Sequence, residues 1–120
     1  MKKRDDVFIA EMLQRIRAVK DHLNKVTQDK FMKSELHKSA VVRELEVLGE
    51  AAKQVSENIK KNYSELPWNQ MIGMRNRLIH EYFDVDDSIV WEVAKIHLPG
   101  LEKDLEKIFL NEAAPIHPWR

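Results

Sequence analysis

The sequence of 120 residues contains no cysteine, which excludes disulfide bonds, zinc–thiolate sites and cysteine-based catalysis together. Glycine occurs three times and proline four times, as is typical of a mostly helical domain. No apolar run approaches the roughly 18 residues of a membrane span. Lys plus Arg number 20 and Asp plus Glu also number 20. Bulk positive charge therefore does not attract nucleic acid, although one small phosphate-binding site remains compatible with this balance.

These absences favour a cytoplasmic protein that is not in the membrane. The start, MKKRDDVFIAEML, has acidic residues directly after its basic tip and lacks the apolar region of a secretory signal. The chain is long enough to bury a core without disulfides or metal. We expect one domain over residues 1–110 and a flexible tail over residues 111–120, where two prolines interrupt any helical period.

Apolar residues recur every three or four positions, as in amphipathic helices. The pattern predicts four helices: one capped by Asp5 or Asp6, one with an apolar stripe from Val41 to Ile59, one from Trp68 to His80 or Tyr82, and one capped within DVDD. We therefore predict an all-α fold, an antiparallel four-helix bundle, with the last helix kinked near Pro99 because proline lacks a backbone donor. Gly49 inside the second helix costs about 1 kcal/mol relative to Ala, which indicates a close helix crossing.

The third predicted helix carries many polar groups in MIGMRNRLIHEYF, residues 71–83. At about 100° per residue, Asn76 and His80 lie one above the other, and Arg75 shares a face with Tyr82. Arg75 and His80 are about 140° apart, so one straight helix cannot aim both at one atom. Either the helix ends before His80, or the same helix of a second subunit completes the site.

The residue types in this cluster suit phosphoryl transfer on RNA. Histidine exchanges protons near neutral pH, arginine binds phosphate oxygens through a planar fork, and asparagine can hold an imidazole or an oxyanion. A 2′-hydroxyl, absent from DNA, could attack the adjacent phosphate while His80 handles the proton and Arg75 stabilises charge, without metal or cofactor. Spacing alone leaves a structural alternative open: Arg75 pairs with Glu50, His80 caps the helix C-terminus, and Tyr82 fills a gap.

A wider resemblance bears on this choice. Arg75 to Tyr82, RNRLIHEY, has the pattern R-x-x-x-x-H-x-Y, and it lies among the segments VLGEAAKQVSE, LPWNQMIGMRNRLIHEYF and VWEVAKIHLPGLEKDL. Over about residues 5–109 the chain resembles the HepT-like branch of the HEPN ribonucleases. The resemblance implies a HEPN-type bundle. It also implies a metal-independent endoribonuclease toxin of a type VII toxin–antitoxin system, with Arg75, Asn76 and His80 as catalytic residues and 2′,3′-cyclic phosphate products.

The resemblance further implies an assembly and a partner. The toxin would be a homodimer, or a higher oligomer, with its site between subunits. A minimal nucleotidyltransferase antitoxin, MntA, would silence it by transferring AMP from ATP to Tyr82. Each AMP would place a phosphate and a base beside Arg75, where they would block RNA. The alternative is a non-catalytic scaffold or substrate-binding partner of such a nucleotidyltransferase.

Other conspicuous residues carry weaker signals. The remaining histidines show no ligand spacing, so no metal site is predicted. Glu50 either orients Arg75 or is an ordinary surface acid. The aromatic residues suggest structural roles, with Trp68 as an anchor at the end of the bundle and Trp91 and Phe83 as core or dimer contacts.

Overall fold

The computed structural model describes residues 4–112, which form helices joined by short turns. The elements are α1 (Asp5–His22), α2 (Gln28–Lys33), α3 (Glu35–Gln54), α4 (Glu57–Asn62), α5 (Trp68–His80), a 3₁₀ turn (Tyr82–Asp84), α6 (Asp87–Glu92), a π-helical segment (Val93–His97) and α7 (Leu98–Glu112). No strand occurs in this part of the chain. The all-α prediction is confirmed.

Helix α3 packs against both α1 and α5, and α7 packs against α1. Helices α1 and α3 are antiparallel, since Arg15 of α1 donates to Glu44 of α3 at 3.0 Å while the start of α1 meets the residues just after α3. The last long element, α6 through α7, completes the predicted four-helix bundle. Its core is aliphatic, and the residues that solvent does not reach include Ile9, Val41, Val90, Leu105 and Ile108.

The start of α1 differs from the prediction that Asp5 or Asp6 caps it. Arg4 occupies the N-cap position without a side-chain cap. The buried Asp5 carboxylate instead accepts hydrogen bonds from the Ser56 backbone N–H at 2.8 Å and from the Ser56 hydroxyl at 2.7 Å. A buried carboxylate needs such donors. The capping prediction is therefore wrong, because a contact across 51 residues takes the side chain.

The second predicted helix also ends earlier than its apolar stripe. Helix α3 stops at Gln54, Val55 adopts an extended conformation, and Ser56 caps the separate helix α4 by accepting from the Ile59 N–H. Ile59 is still buried. A continuous helix to Ile59 was the wrong prediction, since two helices keep the same residues in the core.

Helix α6 begins as predicted within DVDD, where the Asp86 side chain accepts from the Ser88 N–H at 2.8 Å. The irregularity predicted near Pro99 is the π-helical segment, in which the Leu98 N–H donates to the Val93 carbonyl. This wider turn ends immediately before Pro99, which lacks a backbone N–H. A π-helical distortion therefore lies at the predicted position, and the kink itself stays a prediction.

An ion-pair network joins α1 to α7. Lys20 Nζ donates to Glu102 Oε1 at 2.9 Å, and Arg17 contacts Glu102 and Glu106 at 3.1 Å each. The hydrogen bond from Lys20, followed by that from Arg17, lowers the pKa of Glu102. The same carboxylates raise the pKa of Arg17. The network holds the antiparallel pair of helices in register.

The domain boundary predicted at residue 110 stays a prediction. Helix α7 continues to Glu112, and residues 113–120, most of the predicted tail, lie outside the described residues. Among the helices within residues 4–112, none combines the length and apolar character needed to cross a bilayer.

Candidate active site

Helix α5 carries the polar cluster, and the sequence sets its ends. Pro67 precedes it, and the buried Trp68 ring donates its Nε1–H to the Tyr63 carbonyl at 2.9 Å. This contact confirms Trp68 as an anchor. The helix ends at His80, because Glu81 leaves helical geometry at φ −131° and ψ 36°. The helix predicted from Trp68 to His80 is confirmed.

Gly49 allows α5 to lie directly on α3. A Cβ atom added to Gly49 would lie 2.7 Å from the Met71 carbonyl oxygen and closer still to Arg75 Cβ. Both distances are shorter than van der Waals contact, and neither neighbour is the free end of a flexible side chain. The predicted close crossing is confirmed. Its consequence is that the base of the Arg75 side chain is fixed against the α3 backbone.

The guanidinium of Arg75 meets two neighbours. Its Nη1 donates to Asn76 Oδ1 at 2.8 Å, and its Nη2 lies 3.0 Å from Glu50 Oε2. Glu50 is itself held by Gln54 Nε2, which donates to Oε1 at 3.3 Å. Among residues 4–112, the buried Arg75 Nε and Glu50 Oε2 have no aligned hydrogen-bond partner. Arg75 is thus anchored by charge while its donors are not saturated.

His80 and Tyr82 form no polar contact with this group. Both are exposed, and within the described part of the chain neither side chain forms a hydrogen bond or an ion pair. The Tyr82 and Phe83 rings form an edge-to-face pair, with centroids 5.9 Å apart. Phe83 is 98% exposed. Its predicted role in the core is wrong, and its role as a dimer contact stays a prediction.

The structure therefore brings Arg75, Asn76 and Glu50 into contact, and His80 forms no hydrogen bond or ion pair with them. The sequence left two ways for Arg75 and His80 to reach one atom: a helix that ends before His80, or a second subunit. The first does not occur, because the helix continues to His80. The prediction that Arg75 and Tyr82 share a helix face assumed that the helix continues through Tyr82. Tyr82 lies instead in the 3₁₀ turn. The ion pair of the structural alternative, Arg75 with Glu50, is present.

A family model for HepT-like ribonucleases matches residues 12–108. The chain belongs to the HepT-like ribonuclease family. It is 38% identical over 109 residues to "Putative RNase MJ1216" of Methanocaldococcus jannaschii, covering 90% of each chain. It is 31% identical over 108 residues to "Probable ribonuclease HepT" of Thermococcus cleftensis, covering 90% of this chain and 98% of the relative. No solved structure gives a significant match. A ribonuclease is the function class that the family supports.

Two features of this HepT-like chain were missed in the sequence. Gln54 follows Glu50 by four positions, a spacing at which helical side chains meet, so this contact could have been found. Phe83 is a large apolar residue whose exposure no local pattern signals. Trp91, by contrast, lies 5.3 Å from the Phe31 ring, centroid to centroid, which agrees with a core role.

Within residues 4–112 no three His, Cys, Asp or Glu side chains are grouped to hold a metal ion. His22 and His97 are exposed on other elements, and His97 lies 3.9 Å from Glu92. The chemistry available at α5 is therefore that of a fixed cation, an amide and an accessible imidazole.

Proposed function

We propose that this HepT-like ribonuclease is a metal-independent endoribonuclease, and that it acts as the toxin of a type VII toxin–antitoxin pair. One observation carries the proposal within this family: α5 presents a guanidinium anchored beside Asn76 and, five residues later, an exposed imidazole without a partner in the described chain. A fixed cation and a free proton carrier are the two groups that RNA transesterification requires.

The reaction needs no group from outside the protein and the RNA. Neutral His80 takes the proton of a 2′-hydroxyl as its oxygen attacks the adjacent phosphorus. Arg75 stabilises the negative charge that accumulates on the phosphoryl oxygens. The bond from phosphorus to the 5′-oxygen breaks, and an imidazolium returns a proton to that oxygen. The products are a 2′,3′-cyclic phosphate and a 5′-hydroxyl.

The geometry of α5 supports a site shared by two copies in a homodimer. Arg75 lies on the side of α5 that packs against α3, and His80, five positions later, lies about 140° away around the axis. A twofold axis beside α5 would supply each guanidinium with a second imidazole. Higher oligomers could be built from the same pair.

Regulation would act on Tyr82 in the cytoplasm. A minimal nucleotidyltransferase of the MntA type would transfer AMP: the Tyr82 hydroxyl oxygen attacks the α-phosphorus of ATP, its proton is lost, and pyrophosphate leaves. Tyr82 suits this role because it lies half-exposed in a short turn that begins two residues after His80. The added phosphate and base would compete with RNA for the cation.

Cleavage of a labelled RNA oligonucleotide in excess EDTA tests the catalytic proposal. Wild type should cut and leave cyclic phosphate ends, and a single 2′-deoxy substitution at the cut site should prevent cleavage there. His80→Ala should lower the rate by at least about 100-fold, while the matched exposed histidine variant His97→Ala should cut normally. Loss of activity on chelation, or normal cleavage by His80→Ala, would contradict the mechanism.

Mass spectrometry tests the proposed regulation. Incubation with a minimal nucleotidyltransferase of the MntA type and ATP should add whole AMP units to the wild-type chain. Tyr82→Phe should stay unmodified. Tyr63→Phe is the matched control, since Tyr63 donates to Glu112 at 2.9 Å and is partly buried; it should still be modified. Modification of Tyr82→Phe would refute the assignment.

The ion pair between Arg75 and Glu50 favours one rival, a non-catalytic scaffold for a nucleotidyltransferase in which Arg75 has only a structural role. Growth distinguishes the two functions. Expressed without its partner, the wild-type chain should arrest cells and His80→Ala should not. A scaffold would leave both strains growing equally.

A further inference from the structure

Exposed aromatic side chains occur at one place in the described chain. Among residues 4–112 only Tyr82 and Phe83 are exposed, and both closely follow the proposed catalytic residue His80. The other aromatic side chains are buried or partly buried: Phe8, Phe31, Tyr63, Trp68, Trp91 and Phe109. Phe83 leaves 98% of its surface in solvent. A ring that does not pack in the core and lies close to the site is a candidate contact for the substrate.

The turn after α5 holds the Phe83 ring near the proposed catalytic imidazole. The turn is closed by a backbone hydrogen bond, in which the Asp84 N–H donates to the Glu81 carbonyl at 2.9 Å. Three peptide bonds separate His80 from Phe83, so their Cα atoms lie within about 11 Å of each other. One nucleotide held for cleavage at His80 can therefore place its base on the Phe83 ring.

The surroundings of the Phe83 ring suit a base and not a phosphate. Its contact with Tyr82 is edge-to-face, with ring planes 77° apart, and its exposure leaves the ring open to a flat ligand. The exposed residues Glu81 and Asp84 flank it in the sequence, and their carboxylates repel phosphate. An unpaired RNA base is uncharged and planar, and aromatic side chains bind such bases by stacking.

We propose that Phe83 is the stacking platform for the unpaired base of a nucleotide next to the scissile linkage. The inference rests on the proposed ribonuclease function and adds a specificity-determining residue to it. Arg75 binds the phosphoryl oxygens, His80 moves the proton, and Phe83 holds the neighbouring base. Since every base has a π-face, the contact selects unpaired RNA over a duplex, whose bases already stack on each other, and discriminates only modestly among the four bases.

A second copy of the chain fits the Phe83 turn less well than a base does. In a twofold contact centred on Phe83, the carboxylates of Glu81 and Asp84 would approach the same carboxylates of the other copy. Like charges brought together across an interface cost several kcal/mol. The partial compensation of Glu81 by Arg77, 3.7 Å away, does not remove this repulsion. An RNA base brings no charge to the ring.

Cleavage of a labelled single-stranded RNA tests the platform. Phe83→Ala should lower kcat/KM by about 5- to 100-fold, with an unchanged fold by circular dichroism because the ring is almost wholly exposed. Phe83→Trp restores a flat ring and should cleave as wild type does, whereas Phe83→Leu is apolar but not planar and should stay slow. Leu110→Ala is the matched control, since Leu110 is 80% exposed in α7, and its activity should be normal. Normal cleavage by Phe83→Leu would overturn stacking.

An abasic nucleotide identifies the base that stacks. RNA lacking the base on one side of the cut, tested on each side in turn, should slow wild type at one of the two positions by the same factor as Phe83→Ala. On that RNA Phe83→Ala should lose nothing further, because the two changes remove one and the same contact. Additive losses at both positions would overturn the inference.

Binding separates this inference from the proposed function. Fluorescence anisotropy with a labelled oligoadenylate gives the dissociation constant of His80→Ala, which should leave the RNA uncut, and adding Phe83→Ala should raise it by about 5- to 100-fold. If wild type cleaves RNA and Phe83→Ala cleaves and binds equally well, the platform fails and the ribonuclease proposal stands. If RNA binds through Phe83 but wild type cleaves none, the platform stands and the ribonuclease proposal fails.

Two further results would assign the Phe83 ring to a protein contact and overturn the inference. The first is a weaker dimer for Phe83→Ala in analytical ultracentrifugation. The second is normal RNA cleavage by Phe83→Ala together with a loss of AMP transfer by the nucleotidyltransferase. The expected result is an unchanged dimer and slow cleavage, because the ring then contacts only the RNA base.

Discussion

Replacing Gly49 with alanine should loosen the packing of α5 on α3. The added methyl group would lie 2.7 Å from the Met71 carbonyl oxygen and 3.1 Å from Arg75 Cγ, with Arg75 Cβ nearer than either. The two nearest atoms belong to the backbone and to the first side-chain carbon of α5. Rotation of a side chain cannot relieve the overlap, so the whole helix has to move outward.

The expected cost follows from two opposing terms. Overpacking of a close contact costs typically about 1–3 kcal/mol, and alanine recovers about 1 kcal/mol of helix propensity relative to glycine. Because the contact is with helix backbone, we expect Gly49→Ala to lose about 1–2 kcal/mol of unfolding free energy. Gly100→Ala has open space around the added methyl group and should gain up to about 1 kcal/mol. The two variants should differ by about 1–3 kcal/mol.

Urea unfolding followed by circular dichroism at one fixed protein concentration measures this difference. The midpoint should fall for Gly49→Ala and rise for Gly100→Ala, with similar slopes. RNA cleavage by folded Gly49→Ala should also fall, because movement of α5 displaces Arg75 from Glu50. Equal stability of the two variants would contradict the conclusion that the close packing of α5 on α3 requires glycine at position 49.

Two further stability predictions concern polar contacts between helices. Asp5→Ala should cost about 2 kcal/mol, because it leaves the Ser56 N–H and hydroxyl without their buried acceptor. Asp6→Ala should cost less, because it removes one exposed hydrogen bond from the Val7 N–H; equal urea midpoints would contradict this. The Glu102 pKa is lowered first by the hydrogen bond from Lys20, so this carboxylate stabilises the fold above its ordinary pKa of 4.5 and loses that effect as pH falls through its lower folded pKa. The destabilisation caused by Glu102→Gln should therefore be present at pH 7 and shrink in acid; a difference that is independent of pH would be inconsistent.

Local signals were enough to predict most of the fold. Pro67 and the apolar period located α5, and Asp86 capped α6 as the DVDD segment suggested. The apolar period did not predict the helix break between Val55 and Ile59. One continuous helix and two helices joined by a short link bury the same apolar positions. What decides between them is the Asp5 carboxylate, which holds the Ser56 N–H outside a helix. A contact across 51 residues is invisible to local pattern.

The candidate site was predictable in composition but only partly in arrangement. Helical geometry predicted the angle between Arg75 and His80 around the helix axis, and Gly49 predicted the close crossing that holds Arg75. Neither signal reveals how exposed an aromatic side chain is, so Phe83 was expected in a contact of the core or dimer and lies almost wholly in solvent. The spacing of apolar residues along one chain does not show which of them stay exposed to solvent.

Arg75 and His80 differ in how the rest of the chain holds them in the proposed site. Contacts within one chain already fix Arg75, since Gly49 seats its base and Glu50 and Asn76 meet its guanidinium. No such contact in residues 4–112 fixes His80. Assembly of the proposed homodimer would therefore orient His80 and leave the position of Arg75 unchanged. Weakening the dimer should then slow RNA cleavage mainly because His80 loses its orientation, since contacts within one chain already position Arg75.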